Sequence, residues 1–225
     1  MLASAFVGAL VLALTQRLWI NQQLPGMRPL IFLGAGAWTF NAVMFGSGLC
    51  LVLAFSLRTL AEARLREDVY GQGASQRLVR TGPFAWLRNP LYLGTWLFFF
   101  GAVALWAPLL LWLVLSAVFF LVLDAMVRHE EGLLSRQFGA DYDAYLSAVR
   151  RWLPGPPGGD DPPEPISARA FGWAALGNLG IASLGLFRVA VAVGAPAGPA
   201  GLINLGCIAI WLTVVAKRRL AGSKR

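Results

Sequence analysis

The sequence predicts an all-α, polytopic integral membrane bundle of about six spans, and three observations carry that prediction. Of 225 residues, 57% are hydrophobic and 13% charged, with a mean hydropathy of +0.63; an ordinary soluble domain is about 25% charged. Apolar runs near the roughly 20 residues that cross a hydrocarbon core recur along the chain. Helix breakers and clusters of basic residues separate them, as expected of spans joined by loops. This composition excludes a disordered chain and most soluble enzymes.

The first span is expected over residues 2–20 and the second over 30–57. A secretory signal is the competing reading of the first, which lacks a basic n-region. The third and fourth, 91–106 and 109–127, form one apolar stretch broken by Trp106-Ala107-Pro108, an interfacial aromatic beside a helix breaker. They read as a tight helical hairpin over 91–127 whose first arm is short, roughly 24 Å at 1.5 Å per residue. A span that short needs a thinned bilayer or a partly buried position. The fifth and sixth are expected over 171–193 and 201–216. Cys50 and Cys207 sit inside apolar runs, which argues against a disulfide framework or a zinc site.

The net charge is +8, from 19 basic and 11 acidic residues. All the basic residues except Arg17, Arg28 and Arg188 fall in 58–88, 128–169 and the tail 217–225, which the span map puts on one side. The positive-inside rule then sets both termini and the two long loops in the cytoplasm and explains the charge without a nucleic-acid partner. Proximity to anionic headgroups fits the same distribution. Arg188, inside the fifth span about five residues from its outer end, is expected to snorkel.

Residues 154–165, Pro-Gly-Pro-Pro-Gly-Gly-Asp-Asp-Pro-Pro-Glu-Pro, cannot be helical, because proline removes donors and glycine raises the entropic cost of order. They divide the chain into a core over 1–154, with four helices and a cytoplasmic C-terminal helix, a linker over 155–165, and an accessory two-helix hairpin with a basic tail over 166–225. The hairpin is rich in Gly and Ala, which suits close helix packing.

Polar residues of the core gather in three places. Gly46-Ser47-Gly48 lies within the second span, where missing side chains admit either a neighbouring helix or a ligand. The second place is 76–94, with turn chemistry at Gly82-Pro83 and Asn89-Pro90. Pro90 suits a first helical position, so a helix should begin there with free N–H groups beside Arg88 and Asn89. A helix start next to an arginine suits a carboxylate, and Phe84, Trp86 and Tyr92 offer aromatic faces for an adenine ring; an interfacial aromatic belt is the plainer reading. The third place is 124–145. Asp124, Arg128 and Glu131 are spaced i, i+4, i+7 and share a helix face, with Glu130 on the adjoining stripe. The adjacent acids suit a cation or ribose hydroxyls, and a solvated helix face is the alternative. His129 is the single histidine and has no partners at ligand spacing, so no metal is expected.

Taken in order, these three places resemble the superfamily of membrane methyltransferases that includes isoprenylcysteine carboxyl methyltransferase and phosphatidylethanolamine N-methyltransferase. Gly46-Ser47-Gly48 is similar to the GxG of the phospholipid branch. Residues 78–94 are similar to a glycine-led turn followed by R-H/N-P-x-Y-x-G. Glu130-Glu131, Phe138-Gly139, Tyr142 to Tyr145 and Arg151-Trp152-Leu153-Pro154 match the C-terminal signature. The resemblance covers about residues 40–154. Asn89 stands where the isoprenylcysteine branch has His, and Phe84 where Tyr is common, so the substrate branch stays open.

The resemblance implies S-adenosylmethionine as cofactor, entering from the cytoplasm, and a lipid or isoprenoid-like acceptor arriving through the bilayer, with oligomeric state left open. Carried over residue by residue, Gln76, Leu78, Val79, Phe84, Asn89, Pro90, Leu91, Tyr92 and Gly94 would line the cofactor pocket with Gly46, Gly48 and Glu131. Glu130, Arg88 and Arg128 would be catalytic, with Glu130 taking the proton of an amine acceptor or an arginine orienting a carboxyl acceptor. The expected location is a bacterial inner membrane or its equivalent, with the active site facing the cytoplasm. The alternatives are an NADPH-dependent membrane reductase of the sterol type, with a similar R-H-P-x-Y-x-G stretch, and a non-catalytic scaffold or small transporter.

Overall fold

The computed structural model describes residues 37–66, 78–104, 109–158 and 165–222. The first predicted span, the turn at 105–108, Gln76 and most of the linker lie outside them. Among the described residues the fold is all-helical, with eight helices and no strand. They are α1 (Ala37–Leu65), α2 (Pro83–Trp86), α3 (Pro90–Val103), α4 (Leu109–Phe138), α5 (Ala140–Ala148), α6 (Ala168–Gly177), α7 (Leu179–Ala192) and α8 (Ala197–Gly222). Two helical stretches are long and apolar enough to cross a membrane, Ala42–Leu65 and Leu111–Phe138, and α6 with α7 makes a third if that bent pair is one span.

Glycine decides how the bundle closes around α1. A Cβ on Gly101 would lie 2.9 Å from Ser47 O, and one on Gly94 would lie 3.2 Å from Ala54 O, so α3 lies against α1 at backbone distance. On an adjoining face, a Cβ on Gly48 would lie 2.8 Å from Val189 Cγ2, and one on Gly185 would lie 3.1 Å from Gly48 O. This is the small-residue packing available to helices in lipid, where apolar burial alone gives little association. The predicted hairpin is present as α3 antiparallel to α4, held by aromatic contacts. Phe99 meets Phe119 and Phe100 meets Trp112, each pair with ring centroids 4.4 Å apart. Trp96 Nε1 donates to Ser116 O at 3.0 Å.

Three sequence expectations change. The fourth span does not stop at residue 127: α4 runs 30 residues, about 45 Å, into the polar segment and ends where Gly139 takes a φ of 55°. The fifth is not one helix, because the chain turns by 67° between α6 and α7 at Asn178, whose φ of −107° and ψ of 7° leave the helical region. Arg188 does not snorkel. It is 3% exposed, with Nη1 donating to Gly101 O and Nη2 to Ala102 O at 3.0 Å.

The C-terminal helices therefore lie directly on the core. α8 returns along α6 and α7, with Trp211 Nε1 donating to Gly177 O at 2.7 Å. The end of α1, the start of α3 and the end of α4 consequently share one end of the bundle with α5, where Arg58, Arg88 and Arg151 lie.

Candidate active site at the charged end of the bundle

The chain enters this end through Gly82, whose φ of 63° favours glycine, and Pro83, which starts the single turn α2. Pro90 then opens α3 at its first helical position, as the sequence predicts. Asn89, the residue before α3, makes no side-chain cap to that helix. Its amide instead donates to Arg151 O at 3.4 Å.

Residues 149–158 form a strap over α2 and the start of α3. Arg88 N–H donates to Arg150 O at 2.9 Å, Gly155 N–H to Trp86 O at 3.0 Å, and Gly158 N–H to Ala85 O at 2.9 Å. The strap grows out of α5, whose Tyr142 and Tyr145 pack with Val149, Leu78, Leu134 and Phe138. Tyr145 OH donates to Phe84 O at 2.8 Å. Burial, reinforced by the Glu131 charge, pushes the Tyr142 phenol up to about 12. Burial and the neighbouring Tyr142 push Tyr145 up as well.

Under the strap, Glu131 is 7% exposed and holds two arginines. Arg151 approaches it at two points, Nη2 to Oε2 at 2.6 Å and Nε to Oε1 at 3.2 Å, while Arg88 Nη1 lies 3.3 Å from Oε1. The Glu131 hydrogen bond holds Arg151 above the ordinary guanidinium range. Two guanidinium groups on one carboxylate leave a net positive charge, and Arg88 Nε is buried without a hydrogen-bond partner. Glu130 is exposed and accepts a hydrogen bond from Tyr92 OH. Asp124 pairs with Arg128 at 2.7 Å and accepts from Trp152 Nε1 at 2.8 Å, and the Trp152 ring packs at a tilt against Phe120.

The structure thus gathers Arg88, Asn89, Pro90, Tyr92, Glu130 and Glu131 at one place, with Phe84 and Leu78 beside them. Val79 is half-buried in the segment leading into α2. Arg128 is committed to Asp124 and largely exposed rather than sharing Glu131. Leu91 turns its carbonyl to Arg58, and Gly94 faces α1. Gly48 is taken up by packing on α7, whereas Gly46 lines an apolar cavity of about 360 Å³ with Phe100, Ala104 and Trp112. That cavity lies at the other end of α3, about 20 Å along the helix from Pro90. The GxG is therefore separate from the charged cluster. Among the described residues no group of three or more His, Cys, Asp or Glu side chains could hold a metal ion.

Sequence reasoning did not single out Arg151, although it stands in the Arg-Trp-Leu-Pro run that carries the resemblance. It also passed over a second network, in which Arg58 Nε donates to Asn178 Oδ1 at 3.1 Å and Asn178 Nδ2 donates to Glu62 Oε2 at 3.2 Å. A lone Asn in an apolar run was the available signal.

Chemically, the cluster offers an exposed carboxylate oriented by a phenol, beside a cationic pair at a helix start. The nickel-cobalt-cadmium resistance protein NccN of Alcaligenes xylosoxydans xylosoxydans is 34% identical over 80 residues, 36% of this chain. The chain matches about 37% of the length of that relative. No solved structure matches the chain. Residues 37–141, from α1 to the start of α5, match the phospholipid methyltransferase family. With Arg88, Tyr92, Glu130 and Glu131 all inside it, that segment belongs to the superfamily of integral membrane methyltransferases.

Proposed function

We propose that the protein transfers a methyl group from S-adenosylmethionine to a lipophilic acceptor dissolved in the membrane, at the charged end of the bundle, facing the cytoplasm. The observation that carries this reading is the pairing of a free carboxylate, Glu130, with a half-satisfied cationic site, Arg88 and Arg151 on Glu131, within a methyltransferase-family segment.

The residues fit the methyl donor. The unpartnered Nε of Arg88 and the surplus positive charge suit its carboxylate, and the half-buried Phe84 and Val79 give apolar surface for its base. When bound, S-adenosylmethionine supplies a methyl group on a sulfonium, a good leaving group that needs no acid. The protein has to align the reactants and exclude water, and the strap over 149–158 packs over α2 and reaches Glu131 through Arg151. For an amine acceptor, Glu130 takes the ammonium proton at its carboxylate while Tyr92 fixes that oxygen. A carboxyl acceptor is already ionised and needs no proton acceptor.

Calorimetry on the full chain in lipid nanodiscs tests the cofactor: binding of S-adenosylmethionine is expected, and its absence at millimolar concentration, or binding of NADPH in its place, overturns the reading. Incubating membranes with methyl-labelled cofactor and extracting the lipid identifies the acceptor.

A further inference from the structure

α3 stops after 14 residues, about 21 Å, less than a hydrocarbon core. A helix end leaves its last four carbonyls without intrahelical partners, and lipid cannot satisfy them. Three of these four are taken by side chains from other helices. Trp112 Nε1 donates to Phe100 O at 2.9 Å, and the two Nη atoms of Arg188 donate to Gly101 O and Ala102 O. Arg188 also sets a cation at the negative end of the helix dipole.

The other end of α3 is gripped as well. Arg58 Nη1 donates to Thr95 Oγ1 and, at 3.5 Å, to Leu91 O, and Asn178 holds the Arg58 Nε at 3.1 Å. Asn178 and Arg188 both lie beyond the family-matched segment. Between the two grips α3 rests on α1 through Gly94 and Gly101, at backbone distance. Its first turn carries Tyr92, whose hydrogen bond to Glu130 tolerates only a few tenths of an ångström of displacement.

We propose that Arg188 is a positioning residue for the methyl-transfer site. By holding Gly101 O and Ala102 O it fixes the axial register of α3, and so seats Tyr92 against Glu130 about 14 Å away along the helix. The proposal rests on the methyl-transfer reading above, and assigns to the C-terminal helices a part in the chemistry that the matched segment does not contain.

The test uses the full chain in nanodiscs with Arg188→Met, which keeps apolar bulk and removes the donors, and Arg188→Lys, which restores a single charged nitrogen in place of the fork. Arg188→Met is expected to lower kcat at least 10-fold with the KM for S-adenosylmethionine changed less than 3-fold, and Arg188→Lys to recover part of kcat. Hydrogen exchange over 93–97, remote from Arg188, is expected to quicken in Arg188→Met. An unchanged kcat with faster exchange confined to 102–104 makes the contact a local cap and overturns the proposal. Loss of the folded protein in both variants overturns it too, since Arg188 then sustains the fold as a whole. A wild-type protein without methyl transfer or cofactor binding sinks the functional reading, whereas unchanged exchange over 93–97 in Arg188→Met sinks the proposal on its own.

Discussion

Arg151 and Glu131, 20 residues apart, meet through two hydrogen bonds of 2.6 and 3.2 Å, so that the strap is pinned to α4 by a planar fork rather than by a point charge. The pair is largely withdrawn from water and shares its carboxylate with Arg88. Removing the charge leaves two guanidinium groups crowded together. Glu131→Gln is expected to destabilise the protein by about 3 kcal/mol, because breaking a buried pair from one side leaves the other charge uncompensated. Arg151→Lys should cost less, by loss of the fork. Thermal unfolding in detergent measures both.

Glu130 differs from its neighbour in being exposed and free of ion pairs among the described residues. Glu130→Gln should leave the unfolding temperature and cofactor binding unchanged and lower kcat for an amine acceptor by about 10²–10⁴-fold. Arg128→Leu should change little, since Arg128 pairs with Asp124 on an exposed face. A methylation rate unaffected by Glu130→Gln marks a carboxyl acceptor instead, whose nucleophile is already ionised.

The two glycines of the GxG separate in the same kind of measurement. A methyl group at position 48 meets Val189 Cγ2 at 2.8 Å and Val189 N at 3.0 Å, so Gly48→Ala should cost about 1–3 kcal/mol through overpacking. Nothing lies within 4 Å of a Cβ at position 46, and Gly46→Ala should stay within about 0.5 kcal/mol of wild type. Equal effects at both positions would contradict the packing described.

Tyr142 gives the fold an alkaline limit. Its phenol is raised to about 12 in the folded protein from 10, so the folded state favours the neutral form. The stabilisation is complete below pH 10 and is lost as pH rises toward 12, where the unfolded chain releases the proton first. Tyr142→Phe should flatten the decline in unfolding temperature over that window, with Tyr145 responsible for what persists.

Much of this architecture is legible locally. Pro90 marks the start of α3, and the i, i+4 spacing of Asp124 and Arg128 their ion pair, because each depends on neighbours in the chain. The site is legible in part: Glu130, Glu131, Arg88 and Tyr92 stand in recognisable runs, but nothing in them says that Glu131 is consumed by Arg151 while Glu130 stays open. That difference arises from where the strap lands. Asn178 and Arg188 were least accessible, since a polar residue in an apolar run declares a cost without naming the partner that offsets it. Their partners, Arg58 and Gly101, lie 120 and 87 positions away.

The strap also imposes an order on biosynthesis. Arg88 and Glu131 are made before the partners that enclose them, because Arg150, Arg151, Gly155 and Gly158 come later in the chain. A ribosome that has delivered α3 and α4 to the bilayer has exposed Arg88 and Glu131 without their cover. The last wall of the site closes only when the nascent chain has turned back over Ala85 and Trp86.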